Sequence, residues 1–330
     1  MVPDRDPVSE STLDKRFRIT SSLVLDERVN GISGLSKGLL DVTDTAPAES
    51  MWLTARRLRA AIELFRPCFS KSQYRGAREE VRALTQAVGL RRDLDVAIET
   101  VTDVGAEMDG GDREGIRRLV DRLRREQAEA NRALAQSVHG RRMEAFRVRI
   151  EDLTRQQNEE LDADAGPYQA LEEIPASASA LVRTRLTRLR SSVPAALDPD
   201  GVKEQHRMRV AAERLRYVLE LTAEALGTQA HTARRAARGL QEILGEMRDC
   251  DIALPEVREQ IRILEEEDVK TILERARGNR DLDPVLIQAA PNRAAYRGLE
   301  LLAIHLLARR QMMFERFRRL WLEQSRQGVW

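Results

Sequence analysis

The sequence predicts an all-α fold, and three observations predict it. Apolar residues recur at helical spacing, aromatics are only 4% against 33% charged residues, and the 42% hydrophobic content is drawn mainly from Leu, Ala, Val and Ile, a mixture suited to long amphipathic helices. The stretch 206-HRMRVAAERLRYVLEL-221 shows the first of these. At ~100° per residue, Met208, Ala211, Ala212, Leu215, Val218 and Leu219 fall on one stripe, while His206, Arg209 and Arg216 fall on another. One stripe is core and the other is positive. With 330 residues, the chain can build one large domain or two ordinary ones, because single cores stop growing near ~250–300 residues.

In chain order, residues 1–46 are weakly periodic and have no counterpart later, so they read as an N-terminal extension with at most one helix around 19–40. From residue 47 a single plan is used twice. The segment 57-RLRAAIEL-64 lies over 214-RLRYVLEL-221, and 78-REEVRALTQAVGLRRDLDVAI-98 lies over 234-RRAARGLQEILGEMRDCDIAL-254. The second overlay matches Arg78 with Arg234, Arg82 with Arg238, Gly89 with Gly245, and 92-RDLD-95 with 248-RDCD-251. A third echo pairs 141-RRMEAF-146 with 309-RRQMMF-314. The plan therefore gives a first half at 47–158, an acidic Pro/Gly-broken linker at 159–178 and a second half at 179–325. Each half reads as four helices. One carries R-L-R, one ends near the glycine, one opens at R-D-x-D with an aspartate as its N-terminal cap, and one carries R-R-x-x-x-F.

Composition excludes several function classes. Formal net charge is +1, yet the 55 cations include only five lysines, so nearly every positive charge is a forked guanidinium suited to carboxylate or phosphate oxygens. Arginine-rich solvated helix faces would give the same count, so placement decides. Cys68 and Cys250 are isolated, with no Cys-x-x-Cys or His-x-x-x-His pair. Neither a disulfide framework nor a zinc site is indicated, no cofactor is expected, and a reduced cytoplasmic location fits. The start MVPDRDPVSE lacks signal-peptide character, and the most apolar run, 299-LELLAIHLLA-308, is short and interrupted by Glu300 and His305, so no membrane association is expected. His139, His231 and His305 are scattered, and no nucleophile, base and metal set can be named, so the chain does not read as an enzyme.

Candidate anion-binding residues follow from spacing. Positions 206, 209, 213 and 216 lie on one side of a helix over about 15 Å, and the repeat duplicates part of that pattern as Arg56 and Arg59. The alternative is a solvated face in which Glu213 pairs with its arginine neighbours. Arg78 with Arg82, and Arg234 with Arg238, put two like charges one turn apart in both halves, a local cost unless an anion sits there. Arg142 and Arg310 are further candidates on the last helix of each half, whereas Arg118 and Arg122 are assigned to an outer face. The paired aspartates of R-D-x-D lack a third metal ligand.

The ordered pattern of His206, Arg209, Val210, Arg214, Leu215, Arg216, Tyr217, Leu240, Gln241, Gly245 and Asp249 resembles the CHAD (conserved histidine α-helical domain) family. The match is tightest over 203–254, looser over 49–98, and extends through the repeat to about 47–325. The resemblance implies two four-helix bundles related by a pseudo-two-fold, which enclose a basic central channel that binds inorganic polyphosphate without catalysis. It further implies Arg214 among the ligands, polyphosphate granules as the place within the cytoplasm, and a polyphosphate-metabolising enzyme as a partner. The sequence departs from the family at Glu49 and Trp52, which replace the first-half counterparts of His206 and Arg209. It departs again at Glu213, where the family is usually basic. The second half is therefore expected to supply more of the charge. A helical scaffold for protein partners is the alternative function, and nucleic acid ranks below both because stacking aromatics are scarce.

Overall fold

The computed structural model describes residues 10–36, 38–159 and 174–330. Most of the interval proposed as an acidic linker, 159–178, lies outside the described residues. Among those described there are nine α-helices: α1(Glu10–Leu35), α2(Ala46–Leu64), α3(Lys71–Ala106), α4(Arg113–Ser137), α5(Gly140–Glu159), α6(Ala176–Ala196), α7(Val202–Leu226), α8(Thr228–Arg275) and α9(Arg293–Arg326). No described residue is in a strand, as the all-α reading expected.

Four helix boundaries expected from sequence, two in each half, are absent. Gly89 and Gly245 do not end helices, and the R-D-x-D units do not begin them, because α3 and α8 run through both without a break. The aspartates are used from mid-helix instead. Asp95 accepts a hydrogen bond from Gln127 Nε2 at 2.5 Å, Asp251 accepts one from Arg310 Nε at 2.6 Å, and Asp93 lies 3.8 Å from Arg248 of the other R-D-x-D unit. A side chain that finds a tertiary partner has no need to cap a helix, so local propensity is overridden. The turn between α7 and α8 is where glycine is required: Gly227 sits at φ +76, a region closed to side chains with a Cβ.

The chain divides into two compact units. One comprises the described residues up to Arg91 together with Asn131–Glu242 and Phe317–Trp330, and the other comprises Arg92–Ala130 with Ile243–Arg316. Each unit therefore draws segments from both sequence halves. In the first unit α1 packs on α2 and α5, α6 on α7, and α2 on α7. The segment read as an extension does hold one helix, α1, but its Phe17, Val24, Leu25, Val29 and Ile32 are buried in this unit's core. Its periodicity is faint in the sequence because Ser21 and Ser22 share the buried face at 0% exposure. In the second unit α4 and α9 cross closely. A Cβ at Gly115 would stand 2.1 Å from the Ala295 carbonyl oxygen, and one at Gly298 would stand 1.8 Å from that of Asp112, so both positions require glycine.

Candidate functional site

The predicted core stripe of α7 is buried throughout: Met208, Ala211, Ala212, Leu215, Val218 and Leu219 are all inside. Between these residues and α2 lies the cluster that the repeated R-L-R motifs build. The repeat-equivalent residues Arg56 and Glu213 meet as an ion pair through Arg56 Nε, and the second oxygen of Glu213 is 3.7 Å from Arg209. Arg57 Nε donates to Glu220 at 3.2 Å, and Arg216 approaches the other oxygen of Glu220 at 3.5 Å. At the opposite end Arg59 lies 3.5 Å from Glu63, which also pairs with Arg185 of α6. Seven guanidiniums, on residues 56, 57, 59, 185, 209, 214 and 216, thus surround three carboxylates.

These charges are largely withdrawn from water. Side-chain exposure is 14% at Arg56, 12% at Arg209, 14% at Arg216 and 2% at Glu213. The face is therefore neither a plain cationic stripe nor a solvated mosaic. Aromatic rings support three of the guanidiniums: Arg56 lies over Trp52 at 4.2 Å, Arg216 over Tyr217 at 4.8 Å and Arg57 over Tyr217 at 5.6 Å. Trp52, the repeat counterpart of Arg209, thus positions a cation instead of supplying one.

Burial governs the protonation equilibria. It pushes the Arg56 guanidinium down to about 10 against the pull of Glu213, which still leaves it charged at neutral pH. Burial likewise raises the Glu213 carboxyl above the ordinary carboxylate range, with Arg56 and then Arg209 opposing. Arg214 is lowered, first by burial and then by repulsion from Arg59. Taking charges out of water is costly, and cations in excess of their carboxylates recover that cost only when another anion joins them. A cavity of about 130 Å³ opens at this point, lined by Trp52, Arg56, Arg59, Ala60, Glu63, Thr85, Glu213, Arg214 and Tyr217.

The remaining sequence candidates are placed differently. His206 is partly buried one turn before Arg209 on α7, and Arg234 is partly buried on α8. Arg78, Arg82 and Arg142 are exposed. Arg238 is also exposed and donates to Glu242 at 2.8 Å, so its like-charge cost is relieved within its own helix. Arg310 belongs to the second unit and holds Asp251. Arg122, assigned from sequence to an outer face, is only 13% exposed and is clamped by Glu126, Glu256 and Gln260, while Arg118 bonds Glu114 and Asn292. Sequence reading missed Arg57, Glu63, Arg185, Tyr217 and Glu220 as members of the cluster. The overlay of 57–64 on 214–221 contained four of them. Arg185 has no repeat partner and carries no comparable signal.

Among the described residues no helix is long and apolar enough to cross a membrane, and no group of three or more His, Cys, Asp or Glu side chains could hold a metal. The CHAD domain family matches residues 24–258. Two solved structures share the fold: the CHAD domain of the plant Ricinus communis (TM-score 0.60, 18% identity, 92% of this chain and 91% of that one) and PptA from Streptomyces chartreusis (0.59, 16%, 92% and 98%). No curated protein matches the chain.

Proposed function

The chain belongs to the CHAD domain family, and from that premise we propose that it binds inorganic polyphosphate, without catalysis, at the arginine cluster of α2 and α7. The observation that carries this reading is the excess of half-buried guanidiniums over carboxylates around one cavity. Forked donors match phosphoryl oxygens in pairs, and neutralised phosphates release condensed counterions, so a chain of phosphates gains affinity at each added contact. Arg56, Arg59, Arg209, Arg214 and Arg216 form the inner contacts in this reading. His206 and Arg234 flank them, and Arg78, Arg82 and Arg238 supply an outer field. The exposed apolar residues Leu301, Ile304, Leu307 and Met312 of α9 favour a second reading, a scaffold for protein partners.

The deciding experiment is a titration of the full chain with long-chain polyphosphate beside an equal-charge single-stranded nucleic acid. Replacing Arg59 and Arg216 together by Gln should weaken polyphosphate binding by at least ~10-fold, about 1.4 kcal/mol, with helix content unchanged. Undiminished binding by that double variant would falsify the assignment. Purified protein should release no phosphate from polyphosphate or nucleoside triphosphates. Metal-dependent release that tracks with substitution of Asp93 or Asp249 would overturn the non-catalytic reading.

A further inference from the structure

Within the cluster, Glu213 is out of keeping with a site for a polyanion. Its side chain is 2% exposed, it lines the cavity, and only its Oε1 is firmly paired, with Arg56. Oε2 stands 3.7 Å from Arg209 and has no hydrogen-bond partner, and the Tyr217 hydroxyl on the same cavity wall is likewise buried without one, while Arg59 Nε lies 3.5 Å from Glu63 Oε1. An acceptor and a donor left open in one small cavity define the complement they require. An ionised carboxylate can only accept a hydrogen bond. A fully deprotonated oxyanion set against it therefore meets two lone pairs and a repulsion, whereas an oxyanion that carries one proton donates it to Oε2 and takes the guanidinium protons on its other oxygens.

We propose that Glu213 makes this cavity a subsite for a proton-bearing phosphoryl group, namely a free orthophosphate or the terminal phosphate of a chain, and that it rejects oxyanions without an ionisable proton. This inference rests on the phosphate-binding reading above and refines it. About 130 Å³ has room for a single tetrahedral group. A terminal phosphoryl loses its last proton near pH ~6, whereas internal phosphoryls and sulfate hold none at neutral pH. Whether the shared proton resides on the phosphate or on Glu213 does not change the contact. The raised affinity of the buried Glu213 carboxyl for a proton favours the same pairing. The charged and titratable groups around it are Arg56, Arg59 and Glu63 from α2 and Arg209, Arg214, Arg216 and Tyr217 from its own helix, while α3 presents the neutral Thr85. A site built around a buried acceptor discriminates strongly, because the wrong ligand leaves that acceptor unpaired.

The test compares orthophosphate with sulfate, and long polyphosphate having free ends with the same polymer having esterified ends. Each is titrated calorimetrically into the full-length chain and its Glu213→Gln variant. Wild type should favour phosphate over sulfate, and free over esterified ends, by ~10-fold or more. Phosphate binding should tighten as pH falls from about 8 to 6. In the variant an amide offers both donor and acceptor, so the preference should shrink to about twofold or less. Equal binding of phosphate and sulfate by wild type overturns the inference even if the variant fails to fold, as does a preference that survives in the variant. If long chains bind but the anions are not distinguished, only the subsite is lost. If long chains do not bind, the polyphosphate reading is lost, and the phosphate-to-sulfate ratio still reports on Glu213.

Discussion

The arginine cluster of the first unit and the arginines Arg122 and Arg310 of the second are held in opposite ways. In the second unit Arg310 is matched by Asp251, and Arg122 by Glu126, Glu256 and the Gln260 amide. In the first unit the cluster on α2, α6 and α7 has more guanidiniums than carboxylates, and it leaves Arg59 Nε and Glu213 Oε2 without hydrogen bonds. The lesson is that an arginine count does not mark a binding site. The local balance of cation against acceptor does, because a satisfied arginine is a structural cross-link and an unsatisfied one is a request for an anion.

The strongest way to break that comparison is to treat Arg310 as a ligand. Arg310 and Asp251 are 11% and 10% exposed, and removing one partner of such a pair costs ~3–5 kcal/mol. Arg310→Ala should therefore lower the chemical-denaturation midpoint substantially while polyphosphate affinity of the folded fraction stays within about twofold. A large affinity loss without a stability loss would move Arg310 into the binding site. The reverse signature, lost affinity with retained stability, is expected of the Arg59 and Arg216 double substitution.

A smaller effect sharpens the boundary of the first unit's cluster. Arg238 is 70% exposed and paired with Glu242, so Arg238→Gln should weaken polyphosphate binding by only about twofold. It should also shallow the dependence of log K on log salt by less than the ~0.7 expected per neutralised single-strand phosphate. A change comparable to that of the inner pair would show that the exposed face is the principal contact.

The smallest expected effect concerns pH. Burial raises the Glu213 carboxyl, so the folded state holds that proton more tightly than the unfolded chain, and ionised Glu213 lowers stability at neutral pH. Stability from this group should rise as pH falls from the raised value towards the ordinary carboxylate range near ~4.3. The denaturation difference between wild type and Glu213→Gln, measured across that window, isolates the contribution. A difference that does not change with pH would mean that the arginines around Glu213 hold it at an ordinary value.

Much of this was written in the chain. The helical period of 206–221 determined the buried stripe of α7, and the overlay of 57–64 on 214–221 held six of the cluster's ten charged residues, Arg57, Arg59, Glu63, Arg214, Arg216 and Glu220, because charged residues repeated at one register of an amphipathic helix must fall on one face. The departure at Glu213 was equally visible as a carboxylate in a cationic pattern. The sequence could not show that Arg56 closes on Glu213, that Asp95 and Asp251 serve Gln127 and Arg310 and leave α3 and α8 unbroken, or that Arg122 is an internal clamp. Nor could it place α1 in the core, since Ser21 and Ser22 read as polar until their surroundings are known. Periodicity fixes which face a side chain occupies, but whether that face meets water, a carboxylate or a cavity depends on residues distant in sequence, and only the tertiary structure brings those together.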